Sequence, residues 1–472
     1  MAAVQYVPEG MHDLVIRGGR VITATDDYVA DVAVGGERIA AVGEDLRGAE
    51  TIDAEGLYVI PGAIDGHVHM RTERAHDVYD DDARSGSIAA AFGGVTTIID
   101  QAQVAPGTTL RAGLEQRLEE LRPCLIDYGV HVNLREPSRA RVAEIAAIVN
   151  MGFPSIKLFM NYDGYALPDA IIFAAMQEVA AANGLAIVHA ENREIIDELT
   201  RQNVAAGRTG PRWHLSARPG ALEGEAIHRA LALANVAGAR CLIFHLTAAE
   251  GVREVRAART RGQEVYGEVC VHHALLDAAA LEDPVTGSAL VFSPPLRGER
   301  DRDALWGGLA DHSLDIVSTD HGPRRRARDA EGRLYTPPGT SGIELRLALI
   351  HTFGVGAGRL SLNRWVDVCC SRPAQVHGLH RKGQIRPGFD ADLVLFDPQR
   401  ELTVSAERLH SDIDHSTYEG FALRGFPVST ISRGELIVDR GELLVDPGRG
   451  RLLARGYGHA MAATPAAAPV SR

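Results

Sequence analysis

Six side chains able to hold or exchange protons and metal ions stand at comparable places in the chain. His67 and His69 sit two apart in GHVH, Lys157 lies in SIKLF, His189 in IVHAEN, His245 in IFHLT and Asp320 in STDHG. On an extended segment, residues two apart face the same side, so both imidazoles of the H-x-H pair can reach one ion. Taken singly, each residue also reads as a satisfied core histidine or a helix-capping aspartate. Taken together, four histidines, an aspartate and a lysine, each placed at or just after the end of an apolar run, point to one convergent centre able to hold metal. Lys157 is the odd member, because an ammonium beside divalent cations is repelled and a buried unpaired cation is costly. Either it pairs with a buried carboxylate, or desolvation favours the neutral amine. A neutral amine can take up CO2, and the resulting carbamate has two oxygens able to bridge two ions.

The elements that must position these groups are legible from apolar runs alternating with Ala-, Leu- and Glu-rich stretches of helical period, the pattern of βα units. Eight runs are candidates: YVIPGAI (58–64), VTTIID (95–100), DYGVHVN (127–133), SIKLFM (155–160), LAIVHA (185–190), CLIFHL (241–246), EVYGEV (264–269) and DIVSTD (315–320). Eight strands over this length predict a (β/α)8 TIM barrel, whose C-terminal strand ends converge on one mouth. An open doubly wound sheet is the rival, but no G-x-G-x-x-G follows the first run. Short alternating strands at 13–54 recur in ADLVLFDP (391–398) and PVSTISRGELIVDRGELL (427–444). The two ends therefore predict one small β-sandwich: residues 1–56 and 379–450 in the sandwich, 57–378 in the catalytic barrel, and an Ala- and Pro-rich disordered tail at 451–472.

The 472 residues carry a formal net charge of -13, which argues against nucleic acid as a partner. The one basic run, Arg324-Arg325-Arg326, has acidic neighbours and reads as a solvated loop. Five cysteines with no C-x-x-C pair, no export signal and no long apolar stretch predict a cytoplasmic protein without membrane association.

Across residues 13 to about 446 the chain resembles the cyclic amidohydrolases of the amidohydrolase superfamily, through PGAIDGHVH, SGSIAAAFGGVTTIID, SIKLFMNY, VHAEN, RPGALEGEA, SPPLR and GFDADLVLFDP. The hydantoinase and dihydropyrimidinase branch is the nearest match. The resemblance implies a carboxylated Lys157 bridging two divalent ions, zinc or in some members manganese. His67, His69 and Asp320 would complete one site, and His189 and His245 the other. It further implies that a metal-bridging hydroxide attacks the carbonyl of a cyclic amide, that Asp320 moves the proton to the departing nitrogen, and that Tyr162 donates to the developing oxyanion. The product would be a ring-opened carbamoyl or amido acid, and the protein a homo-oligomer, tetramer or dimer.

Several positions depart from the hydantoinase pattern. Arg71 resembles the arginine that binds a substrate carboxylate in dihydroorotases, which implies an acidic cyclic ureide and an allantoinase- or dihydroorotase-type alternative. His272, His273 and Thr319-Asp320-His321 lean the same way, whereas Asp100-Gln101-Ala102-Gln103 stands in place of the M-P-N-T segment of dihydroorotases. The P-N-G of hydantoinases is replaced by Pro337-Pro338-Gly339-Thr340-Ser341-Gly342, so substrate contact through the backbone of Gly339, with Ser293 opposite, is the expectation there. A catalytically silent relative of dihydropyrimidinases would lack some of the six metal-binding positions, and all six are filled.

Overall fold

The computed structural model describes residues 11–71, 79–283, 286–328, 334–335 and 337–457. At its centre, eight parallel strands lie in sequential order: Ala63–Asp65, Val95–Ala102, Asp127–Asn133, Ser155–Phe159, Leu185–His189, Cys241–Ile243, Val265–Cys270 and Ile316–Ser318. Helices cover their outer face and core side chains fill the inside, so most strands are buried along their whole length, as a parallel sheet requires. The first and last strands are stitched by Asp65, whose Oδ2 accepts from Thr319 Oγ1 at 2.7 Å, and beyond them by the Val68–His321 bridge. All eight expected runs contribute a barrel strand.

The first run divides. Tyr58–Pro61 pairs with Leu393–Thr403 and His12–Ile22 in the other sheet, and only Ala63–Asp65 enters the barrel. Gly62 is the crossing point, where a Cβ would lie 2.2 Å from Thr96 Oγ1. The second sheet joins both chain ends: nine strands among the described residues, five from His12 to Pro61 and four from Leu393 to Leu443. Leu14, Ile16, Ile39, Val59, Leu393 and Ile431 share its core, so neither end could bury its apolar face without the other.

The tail departs from expectation. Residues 451–457 are ordered beneath the barrel: Leu453 N donates to Tyr128 O at 2.8 Å, and Arg455 is 1% exposed. Composition hid this because the partners lie far away in the chain: Arg451 pairs with Glu37 and Tyr457 Oη donates to Val376 O at 2.6 Å. The rest of the expected disordered tail, 458–472, lies outside the described residues. Among those described, no helix is long and apolar enough to cross a membrane, and all five cysteines are unpaired and buried.

Candidate metal centre

The six candidate ligands meet at the C-terminal mouth of the barrel, lining one cavity of about 490 Å³ together with Tyr162, Ser293 and Gly339. His189 and Lys157 lie on their strands, while His67, His69, His245 and Asp320 follow theirs within four residues. Asp320 Oδ1 is 3.0 Å from His67 Nε2 and 2.9 Å from His69 Nε2. His189 Nδ1 and His245 Nε2 are 2.8 Å apart. Three of the site residues hold left-handed backbone, Tyr162 at φ 76°, His245 at 38° and Asp320 at 52°. Such conformations cost about 1–3 kcal/mol each and persist where the surroundings over-determine them.

Burial dominates the electrostatics. It lowers the Lys157 amine to about 7, against the pull of Glu268 and Asp320. Among the described residues Lys157 Nζ has no hydrogen-bond partner, and it lies 3.8 Å from the Phe244 ring centroid. Burial pushes the Asp320 carboxyl up, but the facing imidazoles of His67 and His69 outweigh it and hold the group well below the usual carboxylate range. Burial also raises the Tyr162 phenol well above its ordinary value, so it stays a donor, here to Ser293 O at 3.0 Å.

This donor set fits a pair of divalent cations. The ligating atoms of His67, His69 and Asp320 lie within 4.8 Å of one another. Lys157 Nζ and His245 Nδ1 are buried polar atoms that no described residue satisfies, which is costly unless another group engages this cluster.

Two carboxylates that sequence reasoning passed over orient these ligands. Glu268 Oε1 accepts from His67 Nδ1 at 2.8 Å and from the backbone N–H of His245 at 3.0 Å. Glu191 Oε2 accepts from His189 Nε2 at 2.8 Å and from Asn161 Nδ2 at 2.9 Å. Each pairing leaves the opposite imidazole nitrogen with its lone pair toward the cavity, the arrangement metal-binding histidines use. Both were findable, since Glu191 follows His189 by two in VHAEN and Glu268 sits near the end of an apolar run.

Not every candidate converges. Arg71 is absent from the cavity lining: its guanidinium turns outward to Asp82 Oδ2 at 3.2 Å, with both side chains more than 40% exposed. A nearby carboxylate at the surface competes for the charge that the cavity was expected to use. Arg324, read as part of a solvated run, does line the cavity, while exposed Arg325 and Arg326 pair with Asp412 and Asp414. His273 lies behind the cavity wall, its Nε2 donating to Pro294 O at 3.0 Å, and the equally buried His272 ring lies tilted against Phe292, centroids 4.5 Å apart. Asp100 is salt-bridged to buried Arg117 at 2.9 Å, whereas Gln101 reaches His69 at 3.3 Å.

The sequence profile of the Amidohydrolase family matches residues 58–437. The D-hydantoinase of Streptomyces coelicolor is 40% identical over 458 residues, covering 93% of this chain and 97% of its own. That of Geobacillus stearothermophilus is 37% identical, covering 95% and 98%. Among solved structures, a D-hydantoinase superposes with a TM-score of 0.90 at 37% identity, covering 94% of this chain and 98% of its own. A dihydropyrimidinase from Brevibacillus agri gives 0.89 at 37% identity with the same coverage.

Proposed function

Since the chain belongs to the amidohydrolase family, within its hydantoinase branch, we propose that it is a metal-dependent hydrolase that opens cyclic amides of the hydantoin or dihydropyrimidine type. The observation that carries this reading is the single cavity shared by all six donor side chains and Tyr162.

His67, His69 and Asp320 would hold one divalent ion, His189 and His245 the other, with Lys157 between them as a carbamate. Zinc suits this nitrogen-rich set, and manganese is the second choice. When bound, the two ions supply Lewis acidity toward the ring carbonyl and acidify water. Asp320, anionic at neutral pH, accepts a proton from the attacking water and delivers it to the departing ring nitrogen. Tyr162 keeps its proton and donates it in a hydrogen bond to the oxygen on which charge develops. Ser293 and Gly339 line the same cavity, and their backbone groups would orient the ring.

The hydantoinase reading is preferred over an acidic ureide because Arg71 is engaged with Asp82. We further propose a homo-oligomer, tetramer or dimer, on the strength of the resemblance. A reducing compartment, the cytoplasm, suits five unpaired buried thiols.

Hydrolysis rates on zinc-loaded protein for hydantoin, dihydrouracil, allantoin and dihydroorotate test the proposal. Hydantoin or dihydrouracil is expected to react fastest, with Arg71→Ala leaving the order unchanged. A preference for dihydroorotate that Arg71→Ala abolishes would overturn it.

A further inference from the structure

We propose that Arg455, from the segment that follows the sandwich, is a positioning residue for the metal centre, acting from beneath the barrel through Ser155, His131 and the backbone of Gly66. Its guanidinium is almost fully buried and forms no ion pair among the described residues. It donates instead to two carbonyls, Val130 O and His377 O, and to Ser155 Oγ at 2.9 Å. A buried cation without a carboxylate is costly to maintain, so its persistence asks for a role.

The hydrogen bonds that leave this arginine run in one direction. Arg455 fills an acceptor site on Ser155 Oγ, and the serine hydroxyl is then free to donate to His131 Nδ1 at 2.6 Å. That acceptance places the imidazole proton on Nε2, which donates to Gly66 O at 2.9 Å. Burial keeps His131 neutral, so the tautomer this chain needs is the one available. Gly66 immediately precedes His67 and packs closely against His377, since a Cβ on Gly66 would come within 2.1 Å of that ring. The second branch is shorter. Ser155 and Lys157 lie two apart on one strand and therefore face the same side. Arg455 thus anchors, one layer down, both the strand that leads to His67 and the strand that bears Lys157. Gly129 makes room for it, since a Cβ there would lie 2.9 Å from Arg455 Nε.

Groups at the lower end of such a barrel ordinarily serve stability alone, so the test must read the metal centre and not only the melting temperature. The proposal rests on the two-metal reading above. Zinc affinity, measured by competition against a chromophoric chelator, is expected to fall about tenfold or more in both Ser155→Ala and Arg455→Ala, the range found when groups that orient ligands are lost. The two losses are expected to be non-additive, because one chain of bonds is cut in either case. Guanidinium ion added at low concentration should restore zinc affinity in Arg455→Ala and not in Ser155→Ala. Wild-type zinc affinity in the two variants, even with a lowered melting temperature, would overturn the proposal alone. Should Arg455→Ala fail to fold, Ser155→Ala decides, since it removes one hydroxyl and leaves the arginine in place. Absence of zinc binding in the wild-type protein would overturn the functional reading and this proposal with it.

Discussion

His67 Nδ1 and Glu268 Oε1 lie 2.8 Å apart beneath the cavity, joining residues 201 positions apart in the chain. The carboxylate holds the imidazole proton on the inner nitrogen and leaves Nε2 to face Asp320. Glu268→Gln preserves the shape but loses the charge and one acceptor. Zinc affinity is expected to drop roughly 10–100-fold, with the larger loss in Glu268→Ala. Titration of the apoprotein with zinc checks this, and unaltered binding in both variants would remove Glu268 from any role in orienting His67.

Lys157 offers a sharper test of the two-metal reading. Its amine, lowered to about 7 by burial, is available in neutral form near physiological pH to take up CO2. Lys157→Ala is expected to lose both ions and activity, with partial recovery when a short carboxylic acid supplies the missing oxygens. Elemental analysis and turnover in the presence of acetate or propionate read this out; full activity in the unsupplemented variant would refute the carbamate.

Tyr162 donates to Ser293 O and lines the cavity, so its hydroxyl is placed to shift to a substrate oxygen. Removing one donor of this kind typically lowers kcat by about 100- to 1000-fold. Tyr162→Phe should therefore show that fall with KM and metal content little altered. A loss confined to KM would instead assign the tyrosine to ground-state binding.

The cavity wall at residues 292–294 is held by two histidines that burial keeps neutral. His214 and His273 are each lowered to about 4, with Nε2 on Phe292 O at 2.7 Å and on Pro294 O at 3.0 Å. In the unfolded chain these groups take up protons near pH 6.5. Between about pH 6.5 and 4 the unfolded state thus binds protons that the folded state refuses, so stability falls as pH falls through that window and is level above it. Denaturant unfolding at a series of pH values should show a slope that lessens by up to one proton for each of His214→Gln and His273→Gln. An identical slope in the double variant would contradict the assignment.

Much of this was legible in the chain itself. Parallel strands buried on both faces leave near-continuous apolar runs, so all eight barrel strands were visible, and polar residues closing such runs marked the side chains from His67 to Asp320 that meet in one cavity. Pairing was not visible, because a sequence pattern records which side a residue faces and not what waits there. Glu268 meets His67 only because barrel closure sets the two against each other, whereas Glu191 pairs with His189 from two residues away and its role shows only in the geometry. The same limit misplaced Arg71, which shares the alternation of His67 and His69 yet turns to Asp82, and Arg324, which left its basic run for the cavity. Arg455 shows the reason most plainly: in sequence it falls within the Ala- and Pro-rich tail expected to be disordered, and only closure of the barrel creates the floor into which it fits. Period and residue type determined the strands and the chemistry they carry, while the partners that orient that chemistry were decided by contacts across as many as 325 positions, which only the folded chain brings within hydrogen-bonding reach.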